Sequence, residues 1–266
     1  YIESTWRNEY GKNEIRKGSQ WFIDKKSGLD VEWMSFTKNQ NKNSLPNQFC
    51  KNKKNIAIYN SSINEYYATE NAENPLYIDE TYGLRKLLKS FKGREDIHFY
   101  LRIHPNLSNI YNTQIRDLKE IESQNYKNLT IIWPEEKIDS YALLLACDTV
   151  ISFFSTVGVE ACFWGKPSIL AGRAFYEKLD CCYIPKNHAE FVELINSDLS
   201  PKPKINAIKY GYWQVERGYK FKKYIPNSYS SGTFLGNSME PQFNSFEKAV
   251  LKYKKKKRKI KELIYS

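Results

Sequence analysis

The sequence lacks any long apolar run. Its 266 residues contain no stretch that approaches the roughly 18 consecutive apolar residues expected of a membrane-spanning helix, because Asp148 interrupts the best candidate, residues 141–154. An N-terminal signal peptide is not indicated either, since Glu3, Arg7 and Glu9 fall where an apolar segment would be needed. These absences predict a cytoplasmic location.

Cysteine patterns and acidic metal motifs are also missing. The five cysteines form an odd number without any C-x-x-C, which argues against a disulfide framework and against a zinc site. No D-x-D occurs, so the common carboxylate site for a metal-bridged diphosphate is absent. The spacing of Gly158 from Gly165 does not fit a P-loop, and Ser155 does not lie in a G-x-S-x-G elbow. We therefore predict neither a metal ion nor a cofactor.

Most of the net positive charge lies in one short segment near the end of the sequence. The net charge is +11, and Lys252–Lys261 supply eight of these charges without one acid, so the rest of the chain has only +3. This run has three interpretations: a solvated helix face, a contact with anionic lipid, or a nucleic-acid tail. The first is favoured, because the apolar residues that flank the run do not continue through it: Phe246, Val250, Ile260, Leu263 and Ile264.

From Asn55 onward, short apolar runs alternate with segments of helical period. This alternation predicts βαβ units and an α/β fold with a Rossmann-like parallel sheet and helices on both faces. Strands are predicted at 56–59, 98–103, 129–133, 149–154 and 168–171, and helices at 79–91, 113–123, 140–147, 157–164 and 188–197.

Three regions follow from this pattern. Residues 1–54 show no sustained period and are interpreted as a connecting or partial region. Residues 55–200 form the Rossmann-like domain. Residues 201–266 form a C-terminal extension that is rich in Tyr and Lys and ends in a basic helix.

Polar or unusual residues follow four of the predicted strands, where a parallel sheet binds its ligands. Ser155-Thr156 precede a helix whose free N–H groups attract phosphate, and Gly158 lets the backbone approach an anion. Glu160 is one residue too far from Thr156 for a capping box, and a ribose diol explains it better. The alternative is that a hydroxyl caps the helix and that Gly158 is a packing residue.

Candidate site residues also follow the other three of these predicted strands. His104 follows a strand on the face of Arg102, and both side chains can meet a phosphate. Trp133-Pro134 can flank a nucleobase or simply close a strand. Glu65, in the long loop after the first strand, is a weak candidate for an acid or base. Asp139-Ser140 is most simply a helix cap.

These stretches resemble capsule and surface polysaccharide biosynthesis proteins of the GT-B glycosyltransferase class, particularly the Kdo-transferase-like and sialyltransferase-like groups. The matching segments cover roughly residues 55–225: IAIYNSSINEY, FYLRIHPNL, IIWPEEKIDSYALLLACDTVISFFSTVGVEACFWGKPSILAG and AIKYGYWQVERGYKFKKY. The H-P dipeptide followed by S-T-V-G-x-E-A and G-K-P is the specific part of the match.

The resemblance implies the donor-binding, C-terminal half of a GT-B enzyme. It implies a metal-independent glycosyltransferase that uses a nucleotide sugar, CMP-linked as with Kdo or sialic acid, and transfers it to a glycan or glycolipid acceptor. It places His104, Ser155 and Thr156 at the donor phosphate and Glu160 at the ribose. The acceptor domain, which often supplies the catalytic carboxylate, is not evident in residues 1–54.

Two other functions stay open. One is a non-catalytic module that binds a nucleotide sugar or an anionic glycan within a larger assembly. The other is a nucleic-acid binder that uses the lysine run, although we expect no nucleic acid. For the glycosyltransferase, a peripheral contact with the inner membrane through residues 246–266 is a further expectation.

Overall fold

The chain divides into two compact units, Tyr1–Arg217 and Gly218–Ser266. The structure, a computed structural model, describes residues 2–6, 11–31, 35–63, 74–218, 221–228, 231–239 and 244–264.

A five-stranded parallel sheet forms the centre of the first unit, in the order β3-β2-β1-β4-β5. The central strands are buried on both faces, as expected for a parallel sheet covered by helices. The predicted Rossmann-like α/β fold is thereby confirmed. The strands are β1 (Lys54–Tyr59), β2 (Ile97–Arg102), β3 (Leu129–Ile132), β4 (Thr149–Ser152) and β5 (Ser168–Leu170).

Helices cover both faces of the sheet. One apolar cluster joins the sheet to α3, α4 and α7, and another joins it to α5 and α6. Side chains of Asp79, Asn112, Asp139 and Asn187 accept backbone N–H groups at the starts of α3, α4, α5 and α7, so the predicted cap at Asp139 is confirmed. These helices are α3 (Glu80–Ser90), α4 (Thr113–Ser123), α5 (Ser140–Ala146), α6 (Val157–Phe163) and α7 (His188–Asn196).

Three further helices of this unit were not predicted from the sequence: α1 (Ile2–Thr5), α2 (Lys12–Ser27) and α8 (Lys204–Glu216). Helix α2 packs against α8 and α6, where the ring of Phe22 stacks on Phe163 with 4.3 Å between centroids. Helix α2 is mostly polar, so its few buried aromatic side chains produce no clear apolar period. It ends at Gly28, whose φ of 89° closes the helix, with Lys25 in the last turn.

Two glycines allow the backbones of α2 and α8 to touch. A Cβ at Gly211 would overlap the carbonyl oxygen of Gly18 and lie 2.8 Å from the ring of Phe22. We expect Gly211→Ala to lower the free energy of unfolding by about 1–3 kcal/mol, because backbone atoms cannot move aside as a side chain can. Chemical denaturation measures this, with the exposed Gln20→Ala of α2 as control. Equal stability of the two variants would contradict the close packing.

The second unit contains a small antiparallel sheet and a basic helix. Strands β6 (Tyr224–Ser228), β7 (Ser231–Phe234) and β8 (Asn237–Ser238) pair in sequence order, and α9 spans Ser245–Ile264. Among the helices that the structure describes, including α9, none is both long and apolar enough to cross a membrane.

Candidate functional site

A cavity of about 490 Å³ opens in the first unit at the carboxyl ends of β1, β2 and β4. Strand β1 has β2 on one side and β4 on the other, so the order of the strands reverses at this point. Ligands of doubly wound sheets bind at such a reversal, in a crevice of a few hundred cubic ångströms or more. The position and the size of the cavity therefore suit a nucleotide-sized ligand.

Most of the residues predicted for the site lie around this cavity. Arg102, His104, Ser155, Thr156 and Glu160 all contribute to its wall. They come from two separate strand ends and one helix, and the topology of the sheet brings them together.

Three predicted residues lie elsewhere. A Cβ at Gly158 would lie 2.5 Å from Ser152 Oγ and overlap the hydroxyl of Tyr176, so this glycine is required by packing beneath α6 and does not open the backbone to a ligand. Trp133 and Pro134 follow β3, an edge strand separated from β4 by β2 and β1, and they do not line the cavity. The ring N–H of Trp133 donates to Glu122 at 2.7 Å.

Two further predictions concern Glu65 and the N-terminus of α6. Glu65 lies outside the residues that the structure describes. The predicted helix N-terminus at Ser155-Thr156 exists, but α6 has only seven residues and the hydroxyl of Thr156 does not cap it. The macrodipole of so short a helix is small. The preference of the cavity for an anionic ligand therefore depends on the side chains around it.

His104 is held rigidly at the cavity wall. Its backbone N–H donates to the side-chain oxygen of Asn60 at 2.7 Å, and its Nδ1 accepts the backbone N–H of Asn106 at 3.2 Å. Burial, with the nearby charges of Lys25 and Arg102, lowers the pKa of His104 to about 4. The ring is therefore neutral at physiological pH and carries its proton on Nε2, where it can donate to a ligand.

Arg102 is a cation that is only 3% exposed. Its Nη1 donates to the carbonyl oxygen of Trp133 at 2.7 Å, while its buried Nε has no hydrogen-bond partner within the described part of the chain. Burial lowers the pKa of its guanidinium. A buried guanidinium that has no carboxylate partner among the described residues favours an anionic ligand nearby.

Glu160 is the centre of a hydrogen-bond network in the cavity wall and is 3% exposed. Its Oε1 accepts the hydroxyl of Thr156 at 2.7 Å and pairs with Lys25 Nζ at 3.2 Å, and its Oε2 accepts the hydroxyl of Tyr141 at 2.5 Å. Lys25 Nζ also donates to Thr156 at 3.0 Å and lies 4.7 Å from the centroid of the Trp21 ring. The carboxylate thus already accepts three donors without a ligand.

Lys25 and Tyr141 were missed by the sequence analysis. Lys25 lies 131 positions before Thr156, on a helix that the sequence did not predict, and one lysine among many carries no signal. Tyr141 was assigned to an apolar helix, and only its contact with Glu160 shows a second role.

Glu80 holds the end of β1 in place beside the cavity. Its carboxylate accepts the backbone N–H of Ser61 at 3.1 and 3.3 Å, and the Ser61 hydroxyl donates to the carbonyl of Phe153. Burial raises the pKa of Glu80 well above its usual range. These contacts fix the end of β1, where Asn60 and Ser61 face the cavity.

Apolar residues complete the wall. Phe154 has a φ of 56°, a left-handed conformation that costs a non-glycine residue about 1–2 kcal/mol. Phe36 packs edge-on against His104 with 5.2 Å between centroids, and Phe175 is largely exposed at the rim. An aromatic wall beside cationic groups suits a ligand that has both a flat ring and a negative charge.

The sequence model of the family described as "Capsule polysaccharide biosynthesis protein" matches residues 47–180. The chain belongs to this family. The matched segment contains all five strands of the sheet and every cavity residue from Tyr59 to Phe175. The part of the cavity wall between Lys25 and Thr37 lies outside it.

Solved structures with a similar fold include transferases. The β-Kdo 2,4 transferase KpsC of Thermosulfurimonas dismutans is 11% identical, with a TM-score of 0.47 over 77% of this chain and 56% of that one. Anabaena Alr3699/HepE, solved in complex with UDP and glucose, is 15% identical, with a TM-score of 0.38 over 62% of this chain and 43% of that one. The chain thus spans about half the length of these proteins. No curated protein matches it by sequence.

Within the described residues, no group of three or more His, Cys, Asp or Glu side chains is placed to hold a metal ion. Independence from a metal ion stays a prediction.

Proposed function

We propose that this chain is the donor-binding half of a GT-B glycosyltransferase that builds a capsule or another surface polysaccharide. The observation that carries the proposal is the meeting of His104, Arg102, Lys25 and Thr156 in one cavity where the strand order reverses. Two permanent cations, one neutral imidazole and one carboxylate face this space, so its charge favours an anion that also carries hydroxyl groups.

In this proposal the donor phosphate lies between His104 and Thr156. The Nε2–H of His104, the hydroxyl of Ser155 and the ammonium of Lys25 are hydrogen-bond donors. Thr156 already donates its hydroxyl proton to Glu160, and its oxygen accepts from Lys25, so its role is to position Lys25 beside the phosphate. When the bond between the sugar and the phosphate breaks, negative charge grows on the leaving phosphate. Donors that are already in place stabilise that charge without reorganisation, which lowers the barrier to transfer.

The nucleoside part of the donor is assigned to the space beside Glu160. Glu160 keeps its proposed role at the ribose, because a carboxylate offers about four acceptor sites and three donors occupy it in this structure. Trp133 is too far from the cavity to flank the base, and Phe154 or Phe175 takes that role instead. A CMP-linked sugar is our first choice of donor, and a UDP-linked sugar is the second.

The acceptor is proposed to be a glycan or glycolipid bound beside the donor. A peripheral contact with the inner membrane through residues 246–266 is part of this proposal, since a lipid-linked acceptor lies at that surface. Glu65 stays a weak candidate for the catalytic group.

One observation favours a second candidate, a donor-binding module without activity of its own. Glu160 is the only carboxylate in the described wall of the cavity, and three donors already engage it. In that case the module would bind the nucleotide but transfer no sugar.

Calorimetric titration of the chain with CMP and UDP, and with cytidine and uridine, tests the proposal. We expect at least one nucleotide to bind about tenfold or more tightly than its nucleoside, because charged hydrogen bonds to the phosphate contribute about 1.5–3 kcal/mol each. Thr156→Val should remove much of this difference. Thr113→Val, which removes an exposed hydroxyl outside the cavity, should not.

Absence of binding by either nucleotide, or equal affinity for nucleotide and nucleoside, would reject the proposed site. Release of free sugar or transfer to a glycan acceptor, measured with CMP-Kdo and UDP-glucose, would separate the enzyme from the binding module.

A further inference from the structure

The second unit holds most of the net charge of the protein. Residues 218–266 contain twelve Lys or Arg against three acids, a net charge of +9 out of the total of +11. The first unit, which contains the candidate site, is nearly neutral at +2. The excess of positive charge therefore belongs to the second unit, and the cavity residues of the first unit do not account for it.

The turn between β7 and β8 has an unusual residue at its tip. Leu235 and Gly236 both have positive φ, 50° and 83°, as the two central residues of a type I′ turn require. Asn or Asp is the usual first residue of this turn, because a bulky side chain is strained in the left-handed region. Leu235 is nevertheless 61% exposed. An exposed side chain gains no burial energy within the unit, and a partner that covers Leu235 would supply it.

Other large apolar residues of this unit are exposed as well. In and beside the hairpin these are Phe221, Ile225, Phe234 and Met239. In helix α9, Phe246 is 76% exposed and Tyr253 is also exposed, and both lie on one side of the helix because they are seven residues apart. Exposed lysines accompany them: Lys222 and Lys223 before β6, and Lys252, Lys254 and Lys257 in α9.

We propose that the second unit docks on an anionic lipid surface, with Leu235 inserted among the acyl chains and the lysines over the head groups. Basic residues are attracted to anionic head groups, and aliphatic side chains enter the boundary of the acyl chains. Nucleic acid is the weaker match, because Leu235, Ile225 and Met239 have no partner on a phosphate backbone and cannot stack on bases as aromatic rings do. This inference rests on the membrane contact of the proposed function and deepens it, but it does not depend on the donor site.

Co-sedimentation of the full chain with vesicles tests the docking. Vesicles of phosphatidylcholine alone are compared with vesicles that also contain phosphatidylglycerol. We expect binding to the anionic vesicles only. Leu235→Asn should weaken it about tenfold, the scale expected for withdrawing one leucine from an apolar environment, and should not unfold the hairpin, because Asn suits the turn. The matched control is Ile78→Asn, at an 84% exposed residue of the first unit.

The contribution of the lysines of α9 to vesicle binding is tested separately. The triple variant Lys252→Gln, Lys254→Gln and Lys257→Gln should lose about a hundredfold in affinity for the anionic vesicles, since each basic residue near such a surface contributes about fivefold. Changing the exposed Lys51, Lys92 and Lys127 of the first unit to Gln should have much less effect. All these variants should bind nucleotide as the wild type does, which separates this test from that of the donor site.

Three results would overturn the inference. One is equal binding to neutral and anionic vesicles. Another is vesicle binding that is unchanged in Leu235→Asn. The third is tight, salt-sensitive binding of a single-stranded RNA oligonucleotide without vesicle binding, which would assign the lysine run to nucleic acid.

Discussion

Replacement of His104 by alanine is expected to weaken nucleotide binding by about tenfold to a hundredfold. The neutral ring offers its Nε2–H to the phosphate, and a hydrogen bond to a charged group contributes about 1.5–3 kcal/mol. The variant should still fold, because the backbone N–H of His104 keeps its bond to Asn60, although the ring's bond from Asn106 and its contact with Phe36 are lost. Calorimetry with the nucleotide that the wild type prefers measures the change.

His104→Gln and His188→Ala are the matched variants. Glutamine retains an N–H donor and should recover part of the affinity. His188 is bonded to Tyr77 and Ser90, outside the cavity, so its replacement should leave nucleotide affinity unchanged. Equal affinity in the wild type and His104→Ala would remove His104 from the site.

The depressed pKa of His104 also predicts how binding depends on pH. An anion beside the ring raises the pKa of His104 above its value of about 4 in the free protein, so the complex takes up protons. Affinity should therefore rise as the pH falls from neutral towards about 5, and it should level off below the pKa of the free protein. A nucleotide sugar such as UDP-glucose is the suitable ligand, because its phosphodiester groups do not titrate in this range. The pH dependence should vanish in His104→Ala.

Replacement of Lys25 by methionine should have two effects of similar size. Nucleotide affinity should fall about tenfold or more, with a weaker dependence on salt, because a cation that faces the phosphate is lost. The free energy of unfolding should also fall by about 1–3 kcal/mol, because Glu160 stays buried with one donor fewer. Calorimetry measures the first effect and chemical denaturation the second.

The double variant Lys25→Met and Glu160→Gln separates the two effects when it is compared with Glu160→Gln alone, because Glu160 is itself assigned to the ribose. Neutralising Glu160 removes the unpaired charge, so stability should recover while nucleotide affinity stays low. Lys26→Met is the matched control, since Lys26 lies next in the helix with its ammonium 4.4 Å from the centroid of the Trp164 ring, outside the cavity. If Lys25→Met binds nucleotide as tightly as Lys26→Met does, Lys25 has only a structural role.

The βαβ order could be predicted because its signals are local. The apolar runs of β1, β2 and β4 stand out against polar surroundings, and Asp139 marks the start of α5 within one turn of the chain. Parallel strands place their carboxyl ends on one edge, so His104 and Thr156 could be expected to meet before any coordinates were known.

Other parts of the site depend on contacts between distant segments. Helix α2 owes its place to the close approach of Gly18 and Gly211 and to the stacking of Phe22 on Phe163, and neither pairing is visible in either segment alone. Lys25 reaches Glu160 only because of that packing. A sequence pattern records which residues are polar or apolar, and it does not record which distant residue lies opposite.

The same residue types also serve packing and binding, and only their surroundings tell the two apart. Gly158 follows two hydroxyl residues as a phosphate-binding glycine would, yet Tyr176 and Ser152 fill the space beside it. Trp133 follows a strand as His104 does, yet β3 is an edge strand and β2 adjoins the reversal of strand order. Local pattern and parallel topology were sufficient to predict the fold and the edge of the sheet at which the cavity opens. The side chains that face the cavity follow from strand order and helix packing, which join residues far apart in the chain.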